Sequence, residues 1–255
     1  MNLIHFVFFL LFYPLCINSF HLLVKNSLSL VSQFSIINNI DKSHNEHHSK
    51  EVLFWAVDIM ESQNKKFTRS ELNIIIQSCI LHDLVDKKYS PDEKFVKNYL
   101  ANLHSTEEID TIMNIITTMS YSKIFKDNTI IFPDWIQDSP YNECFHITRE
   151  ADLLSSYNIA RMIEYRKNLN MPDPMIREEI PIFYSNRIAN LIKHRFFLHD
   201  GAENRASQLD EIGRLKLLAL SVHNLELDRL DYFRFIDFIS EDDLSVRLLN
   251  LLDNS

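Results

Sequence analysis

The chain has 255 residues, of which 46% are hydrophobic and 24% charged, a composition that suits one globular domain and excludes disordered, collagen-like and disulfide-scaffold proteins. Two glycines and seven prolines leave few positions for the tight turns of a many-stranded β fold or for a glycine-rich phosphate loop. The net charge of −9 argues against general nucleic-acid binding, because such proteins pair Lys and Arg with phosphates. We therefore expect an all-α chain of helices joined by polar loops.

The N-terminal segment, residues 1–19, contains an apolar stretch at 3–17 that only His5 and Pro14 interrupt. The polar residues after it resemble the end of a signal peptide, but the positively charged region that precedes such a stretch is missing. Two interpretations stay open. As a leader, the segment directs the protein to the secretory pathway or an organelle. As an apolar first helix of the core, it leaves the protein cytoplasmic.

Apolar residues recur at spacings of three and four from residue 20 onward, which predicts amphipathic helices. The first three segments of this kind lie at 22–31, 52–59 and 72–79. Thr68 or Ser70, followed by Glu71, supplies the capping signal of the third helix. A similar run at 105–108 opens a later helix.

The rest of the chain is predicted as helices separated by loops that contain proline. Loops are expected near Pro91 and at 127–141 and 171–181, with a single helix at 143–168. Two long amphipathic helices complete the chain.

The predicted domain organisation has three parts. The segment 1–19 is an apolar leader or first helix, 20–220 is a single helical domain, and 221–255 is an acidic helical extension.

Two polar residues interrupt the apolar stripe of the third helix. His82 and Asp83 lie three and four residues beyond Cys79, where the stripe should continue into the core. A buried carboxylate without a partner is costly, and a metal ion satisfies an imidazole and an adjacent carboxylate together. The alternative is that Asp83 caps the helix or pairs with a lysine.

A histidine-rich run at 44–48 precedes the second helix, and His48 lies four residues before Val52 on its core-facing side. One alternative is a solvated histidine tract. Another is a zinc site in which His44 and His48 bind at the helical i, i+4 spacing. The zinc-protease pattern requires an acid directly after the first histidine, and the chain has Asn45 there.

A third acid, Asp152, is predicted in mid-helix between apolar residues, with Ser155 and Ser156 three and four residues later. These small neighbours leave room for the carboxylate to approach a metal held by other helices. The alternative is an ion pair between Asp152 and Arg149 at the i, i+3 spacing.

In chain order the three segments give His, then His-Asp, then Asp, each on its own predicted helix. This pattern resembles the HD-domain superfamily of metal-dependent phosphohydrolases over about residues 25–220. Ser43-His44-Asn45 with His48 is similar to SHDxxH of small bacterial nucleotide pyrophosphohydrolases, with Asn in place of Asp, and LHDLVDKKY at 81–89 is similar to LHDxxDxKY of eukaryotic and viral members. Two further blocks that look like family blocks are TMSYSK at 118–123 and READLL at 149–154. A weaker similarity joins FYSNRI at 183–188 to FYxKLL.

The resemblance implies one divalent metal ion, Mn, Fe, Co, Ni or Mg, bound by His48, His82, Asp83 and Asp152. Two imidazoles and two carboxylates suit these ions. The further histidines and the glycine-rich signature of binuclear members do not follow Asp83. One metal is therefore expected rather than two.

The resemblance also suggests roles for residues beside the metal. Asp86 is the candidate catalytic acid or base, because it lies near the ion if the third helix continues for another turn. Lys88, Lys123 and Arg149 lie in the family-like blocks and are the candidate phosphate contacts, since fixed positive charge suits an anion. The alternative role for each of the three is a solvated surface charge. For Arg149 a further alternative is that it orients Asp152.

The implied function is a phosphohydrolase in which metal-activated water attacks a phosphate or diphosphate of a small molecule, with a nucleotide as the first expectation. Hydrolysis of a non-nucleotide phosphoester is an alternative within the family. The alternative from another class is a non-catalytic metal-bound HD module that acts as a ligand sensor or structural protein. No general nucleic-acid binding is expected, and homo-oligomer formation stays open.

Overall fold

Helices make up most of the chain that the computed structural model describes, residues 3–86, 93–222 and 239–253. Within these ranges, side chains are described from Ser19 onward except that of Lys42. A two-stranded hairpin is the one sheet in the described residues, so the expected all-α class is confirmed. The elements are α1 Leu3–Ile37, α2 Glu46–Ser62, α3 Arg69–Leu81, α4 Glu93–Leu100, α5 Thr106–Thr118, α6 Tyr121–Ile124, β1 Phe125–Lys126, β2 Thr129–Ile130, α7 Asn142–Ser155, α8 Ile159–Asn168, α9 Asp173–Phe183, α10 Asn190–Lys193, α11 Asp200–Val222 and α12 Glu241–Leu251.

Both predicted capping signals are present as reciprocal hydrogen bonds. The Thr68 hydroxyl accepts from the backbone N–H of Glu71, and the Glu71 carboxylate accepts from the backbone N–H of Thr68. Ser105 and Glu108 make the same pair at the beginning of α5. Thr68, rather than Ser70, therefore caps α3, and the helix ends at Leu81, directly before the His82-Asp83 pair.

The core is organised around α2, which packs against α3 and α7 and also contacts α1, α11 and α12. The apolar residues predicted at 52–59 and 72–79 are buried, which confirms the two stripes. Because α2, α3 and α7 pack on one another, polar side chains along their shared faces meet at one place.

The part of α1 that follows residue 19 contributes to this core. Phe20, Val24, Leu28 and Val31 are buried, whereas Leu22, which the sequence pattern assigns to the stripe, is 53% exposed. Among the residues whose side chains are described, no helix is long and apolar enough to cross a membrane.

The last helix, α12, lies within the predicted C-terminal extension and packs against α1 and α2. Its neighbourhood includes a short backbone connection. The N–H of Phe67 donates to the carbonyl of Leu251 over 2.9 Å, and the N–H of Asp253 donates to the carbonyl of Phe67 over 2.8 Å. The described end of the chain is thus joined to the loop between α2 and α3, while the domain boundaries near 20 and 220 stay predictions.

Two predicted loops contain regular structure. Residues of the expected loop 171–181 form most of α9, because Pro174 lies in the first helical turn, where its missing N–H is not needed. At the start of the expected loop 127–141, Asp127 and Asn128 form the turn of the hairpin with positive φ of 50° and 60°. Both residue types tolerate this backbone region. The loop expected near Pro91 lies outside the described residues.

The predicted single helix at 143–168 is interrupted, and this break shapes the site. The hydroxyls of Ser155 and Ser156 each donate over 2.6 Å to backbone carbonyls three residues earlier, where α7 ends. Asn158 then caps α8 by accepting from the backbone N–H of Arg161. As a result α8 packs against the 3₁₀ turn Lys42–His44 that precedes α2.

A buried carboxylate fastens α7 to the start of α11. Glu150 is fully buried and accepts from the backbone N–H groups of Leu198 and His199 over 2.9 and 3.2 Å. The same carboxylate contacts His199 Nδ1 and Arg149 Nη2, each over 3.0 Å. These contacts satisfy the N–H groups of the two residues that precede α11 and hold its beginning on α7.

Replacing Ile76 with alanine is expected to lower the free energy of unfolding by about 2 to 5 kcal/mol, because this fully buried side chain on α3 leaves a cavity. Ile131→Ala, at a position that is 56% exposed, is the matched control and should lie within about 0.5 kcal/mol of the unsubstituted protein. Urea unfolding measures both changes. Equal losses in the two variants would contradict the burial of this stripe.

The His199–Glu150 contact predicts a pH-dependent contribution to stability. Burial by itself lowers the pKa of His199, but the hydrogen bond to Glu150 and the charges of Glu150 and Glu143 raise it overall. The contribution is therefore complete below the unfolded-state value of about 6.5 and is lost as the pH rises through the folded-state value. Urea unfolding of the unsubstituted protein and His199→Gln should give a difference that shrinks as the pH increases. A difference independent of pH would refute this assignment.

Candidate metal centre

Four polar side chains from three parts of the core converge on one point. His48 comes from α2, His82 and Asp83 from the turn directly after α3, and Asp152 from α7. The Nε2 atoms of His48 and His82 are 3.1 Å apart, and each lies 3.5 Å from Asp83 Oδ2. Asp152 Oδ1 lies 3.5 Å from His48 Nε2 and 3.8 Å from His82 Nε2. The four residues selected from the sequence are thus neighbours in space.

The local backbone explains how His82 and Asp83 both reach this point. The α-helix does not continue past Leu81, and His82–Val85 forms a 3₁₀ turn instead. Within it, His82 Nδ1 donates to the carbonyl of Cys79 over 2.9 Å. That hydrogen bond leaves the lone pair on Nε2, the nitrogen that faces the group.

The donor set and its unsatisfied atoms fit a divalent cation. Asp83 Oδ2 is buried without a hydrogen-bond partner among the described residues, a condition that is costly for a carboxylate unless a positive charge meets it. His48, His82 and Asp83 form the group in the described chain whose ligand atoms lie close enough together to hold an ion. Two imidazole nitrogens with carboxylate oxygens suit Mn, Fe, Co, Ni or Mg.

Burial and the charges around the group favour the protonation states that a metal requires of His48, Asp83 and Asp152. Burial, followed by the positive charge of Arg161, lowers the pKa of His48 to about 3, so its imidazole is neutral at neutral pH. Burial alone would raise the pKa of Asp83, but the neighbouring histidines and Arg161 lower it to about 2. The pKa of Asp152 is lowered in the same way against the effect of burial. Neutral imidazoles beside ionised carboxylates are the forms that coordinate metals.

Two adjoining cavities open beside the group. The larger, of about 570 Å³, is lined by His82, Asp83 and Asp152. The smaller has a volume of about 280 Å³ and includes the rings of Tyr165 and Phe183 in its wall. Four residues line both cavities and form their junction: His44, Ser156, Arg161 and Arg187.

Two of the candidate catalytic and phosphate-binding residues lie in the wall of the larger cavity. Asp86 is half-buried with an extended backbone, and its N–H donates to the carbonyl of Asp83 over 3.2 Å. Lys123 is exposed, and its Nζ donates to the carbonyl of Thr117. Lys88 lies outside the described residues. Asp86 therefore faces the cavity without the extra helical turn that the sequence argument assumed.

The structure corrects the expected placement of Arg149. Its side chain is 1% exposed and lines neither cavity. Nη1 donates to the carbonyl of Phe196 over 2.6 Å and Nη2 to Glu150 Oε1 over 3.0 Å. Because the adjacent Glu150 takes the guanidinium into the packing between α7 and the segment before α11, Arg149 is placed neither at a phosphate nor in the alternative pair with Asp152.

His44 stands apart from the converging group. Its Nδ1 hydrogen-bonds the Ser43 hydroxyl over 2.7 Å and lies 3.6 Å from Asp41 Oδ1. Its ring meets that of His48 edge-on, with centroids 5.9 Å apart. This geometry does not support the alternative of a zinc pair made by His44 and His48.

Arg161 is a site residue that the sequence argument missed. Its Nε donates to the carbonyl of Ser43 over 2.8 Å, Nη1 to the Ser155 hydroxyl over 2.9 Å, and Nη2 to His48 Nε2 over 2.9 Å. In a continuous helix at 143–168, Arg161 would lie more than two turns beyond Asp152. The serines followed by Asn158 were the available signal of a helix end and a new cap.

Arg187 was also missed, although it lies inside the FYSNRI block. It is carried by a π-helical turn, Tyr184–Ile188, between α9 and α10. Its guanidinium lies 4.4 Å from the ring centroid of Tyr121 and 5.6 Å from that of Phe183. No hydrogen bond or ion pair joins it to the residues that the structure describes, so its N–H groups are available at the junction of the cavities.

The chain matches no protein-family model and no curated protein sequence. Solved structures that are similar to it over most of its length include two of an HD-domain protein. Both are of YpgQ from Bacillus subtilis. The crystal structure of YpgQ in complex with ADP has 20% sequence identity and a TM-score of 0.54, and the match covers 80% of this chain and 100% of that chain. The structure of selenomethionine-labelled YpgQ has 19% identity and a TM-score of 0.55, with 80% and 98% covered. At these identities the likeness shows the fold alone.

Asp83→Ala is expected to remove bound metal while the chain remains folded, because it deletes the buried anion of the group. We expect metal affinity to fall by more than about a hundredfold, since residues that only support a ligand already contribute ten- to a hundredfold. Elemental analysis after dialysis against manganese measures occupancy, and circular dichroism checks folding. Glu93→Ala is the matched control, because Glu93 lines the same cavity outside the converging group. Full occupancy in Asp83→Ala would rule out this metal centre.

Proposed function

We propose that this chain is a metal-dependent phosphohydrolase that hydrolyses a phosphate or diphosphate of a small molecule, with a nucleotide as the substrate class. The observation that carries the proposal is the convergence of His48, His82, Asp83 and Asp152 at the wall of a cavity that also contains cationic side chains. A metal centre beside fixed positive charge is what an anionic phosphate ester requires.

The proposed ligands of one divalent ion, Mn, Fe, Co, Ni or Mg, are His48, His82, Asp83 and Asp152. When bound, the ion supplies Lewis acidity at the phosphoryl group and lowers the pKa of a water molecule. The hydrogen bond from His82 Nδ1 to the carbonyl of Cys79 holds one imidazole in the orientation that this role needs, and burial holds that of His48.

The surrounding residues take the remaining roles in hydrolysis. Water adds a hydroxyl to phosphorus and a proton to the leaving oxygen, so one group must accept a proton and one must return it. Asp86, in the wall of the larger cavity, is the candidate for this transfer. Lys123, in the wall of the larger cavity, and Arg161 and Arg187, at the junction, supply positive charge to the phosphate oxygens.

Two observations support a nucleotide rather than another phosphoester. The smaller cavity is lined by Tyr165 and Phe183, and aromatic side chains are suited to contact a planar base. YpgQ, which shares the fold, has been crystallised in complex with ADP. A base in the smaller cavity would leave the phosphates at the junction, close to the metal centre.

The direct test is release of phosphate or pyrophosphate from a panel of nucleotides and simple phosphoesters in the presence of manganese. We expect turnover of at least one nucleotide, complete loss of turnover after chelation, and recovery on adding metal back. Binding of nucleotide and metal without any turnover would instead favour a non-catalytic HD module that acts as a sensor or structural protein. Turnover of phosphoesters alone would favour a non-nucleotide substrate.

Neutralising Lys123 tests the proposed phosphate contact. Lys123→Gln should lower kcat/KM by about ten- to a hundredfold, since a charge-assisted contact contributes roughly 1.5 to 3 kcal/mol, while metal content stays unchanged. The matched control is Lys126→Gln, because this exposed lysine on β1 lines neither cavity. Steady-state kinetics with parallel elemental analysis measures both. Equal effects in the two variants would argue against a contact at Lys123.

A further inference from the structure

The guanidinium of Arg161 makes two kinds of contact at the site. Nε and Nη1 bind the carbonyl of Ser43 and the hydroxyl of Ser155, and neither acceptor belongs to the converging group. Nη2 donates over 2.9 Å to His48 Nε2, one of the nitrogen atoms that faces that group. The first two contacts anchor the side chain, and the third depends on what else uses His48.

An imidazole nitrogen has one lone pair, so His48 Nε2 can serve either an N–H donor or a metal ion. The two partners also repel each other, because the guanidinium and a divalent ion both carry positive charge. Arg161 and a metal at this nitrogen are therefore competitors, although Arg161 stays beside the group through Ser43 and Ser155.

The junction of the two cavities offers Arg161 a place to bind an anion instead of His48. It lines both cavities at their junction, where the wall of the smaller cavity contains Arg166 and Arg187 and no acidic residue. Arg166 is already paired with Glu179 through Nε and Nη2. Among the described residues, the guanidinium donors that an anion at the junction would thus find are those of Arg187 and, once His48 no longer accepts from it, Nη2 of Arg161.

We propose that Arg161 is a positioning residue that exchanges partners, donating to His48 until a metal takes that nitrogen and then donating to an anionic group of the ligand. This couples the two binding events. The metal must displace one hydrogen bond of Arg161, and the anion gains the donor that the metal sets free. The inference rests on the proposed function only in that the metal binds at His48.

The exchange makes an unusual prediction for the metal. A residue that merely held His48 in place would weaken metal binding when removed. Arg161→Met, which removes the competing donor and its charge, should instead tighten Mn²⁺ binding by about five- to a hundredfold, the usual range of coupling between two sites. In the metal-loaded protein the same variant should bind inorganic phosphate about tenfold or more weakly.

Calorimetry tests both expected changes in affinity without a turnover assay. The full chain is titrated with Mn²⁺, and the Mn²⁺-loaded protein is then titrated with inorganic phosphate. Arg187→Met is the matched control, because Arg187 lines the same junction without contacting His48. It should lower phosphate affinity and leave Mn²⁺ affinity unchanged. Arg161→Lys keeps the charge without the forked donors and should bind Mn²⁺ with an affinity between those of the unsubstituted protein and Arg161→Met.

The possible outcomes separate the partner exchange of Arg161 from the proposed function. Unchanged or weakened Mn²⁺ binding in Arg161→Met overturns the exchange while leaving the proposed function in place. Tighter Mn²⁺ binding with unchanged phosphate affinity also overturns it, because the released donor then has no anionic partner. If Arg161→Met does not fold by circular dichroism, Mn²⁺ binding by Arg161→Lys that is no tighter than normal overturns it. Failure of the unsubstituted protein to bind Mn²⁺ or any of the other four proposed ions overturns both the exchange and the proposed function.

Discussion

The carboxylate of Asp83 imposes the constraint on which the rest of the site depends. Its Oδ2 atom is buried without a hydrogen-bond partner in the described chain, 3.5 Å from the Nε2 atoms of His48 and His82. Burying a carboxylate and two imidazoles together costs free energy, because these side chains lose their hydration. The apolar packing of α2, α3 and α7 holds them together, so the stability of the core is what maintains the polar centre.

The parts of the structure that depend on local pattern were predictable. Helical spacing of apolar residues and two reciprocal caps give α2, α3 and α5, and an interrupted stripe gives His82 and Asp83. The proximity of Asp152 followed from the resemblance to the HD-domain superfamily, because spacing alone left open both a metal ligand and an ordinary ion pair with Arg149. The structure brings it within 3.5 Å of His48. Periodicity reports which face of a helix is buried, and it does not report which buried faces meet.

The cationic residues were harder to predict, for two different physical reasons. Arg149 has a buried acid beside it, and the resulting ion pair removes it from the cavity, a choice of partner that sequence spacing does not reveal. Arg161 reaches His48 only because the chain turns back after Ser155. A long arginine can serve a site from several positions, so its role depends on where short breaks place its backbone.

The π-helical turn at Tyr184–Ile188 has a consequence for how such a site can diversify. The N–H of Ala189 donates to the carbonyl of Tyr184 over 2.9 Å, so this turn holds one residue more than a regular helix. Loss of one residue here would restore the regular hydrogen-bond pattern without turning one flank against the other, because a π-turn takes up its extra residue within a single turn. Arg187, which this turn carries, would then be displaced from the junction while the buried residues on the two flanks kept their places. A change in chain length by a single residue is thus a route to altered ligand preference within an otherwise unchanged scaffold.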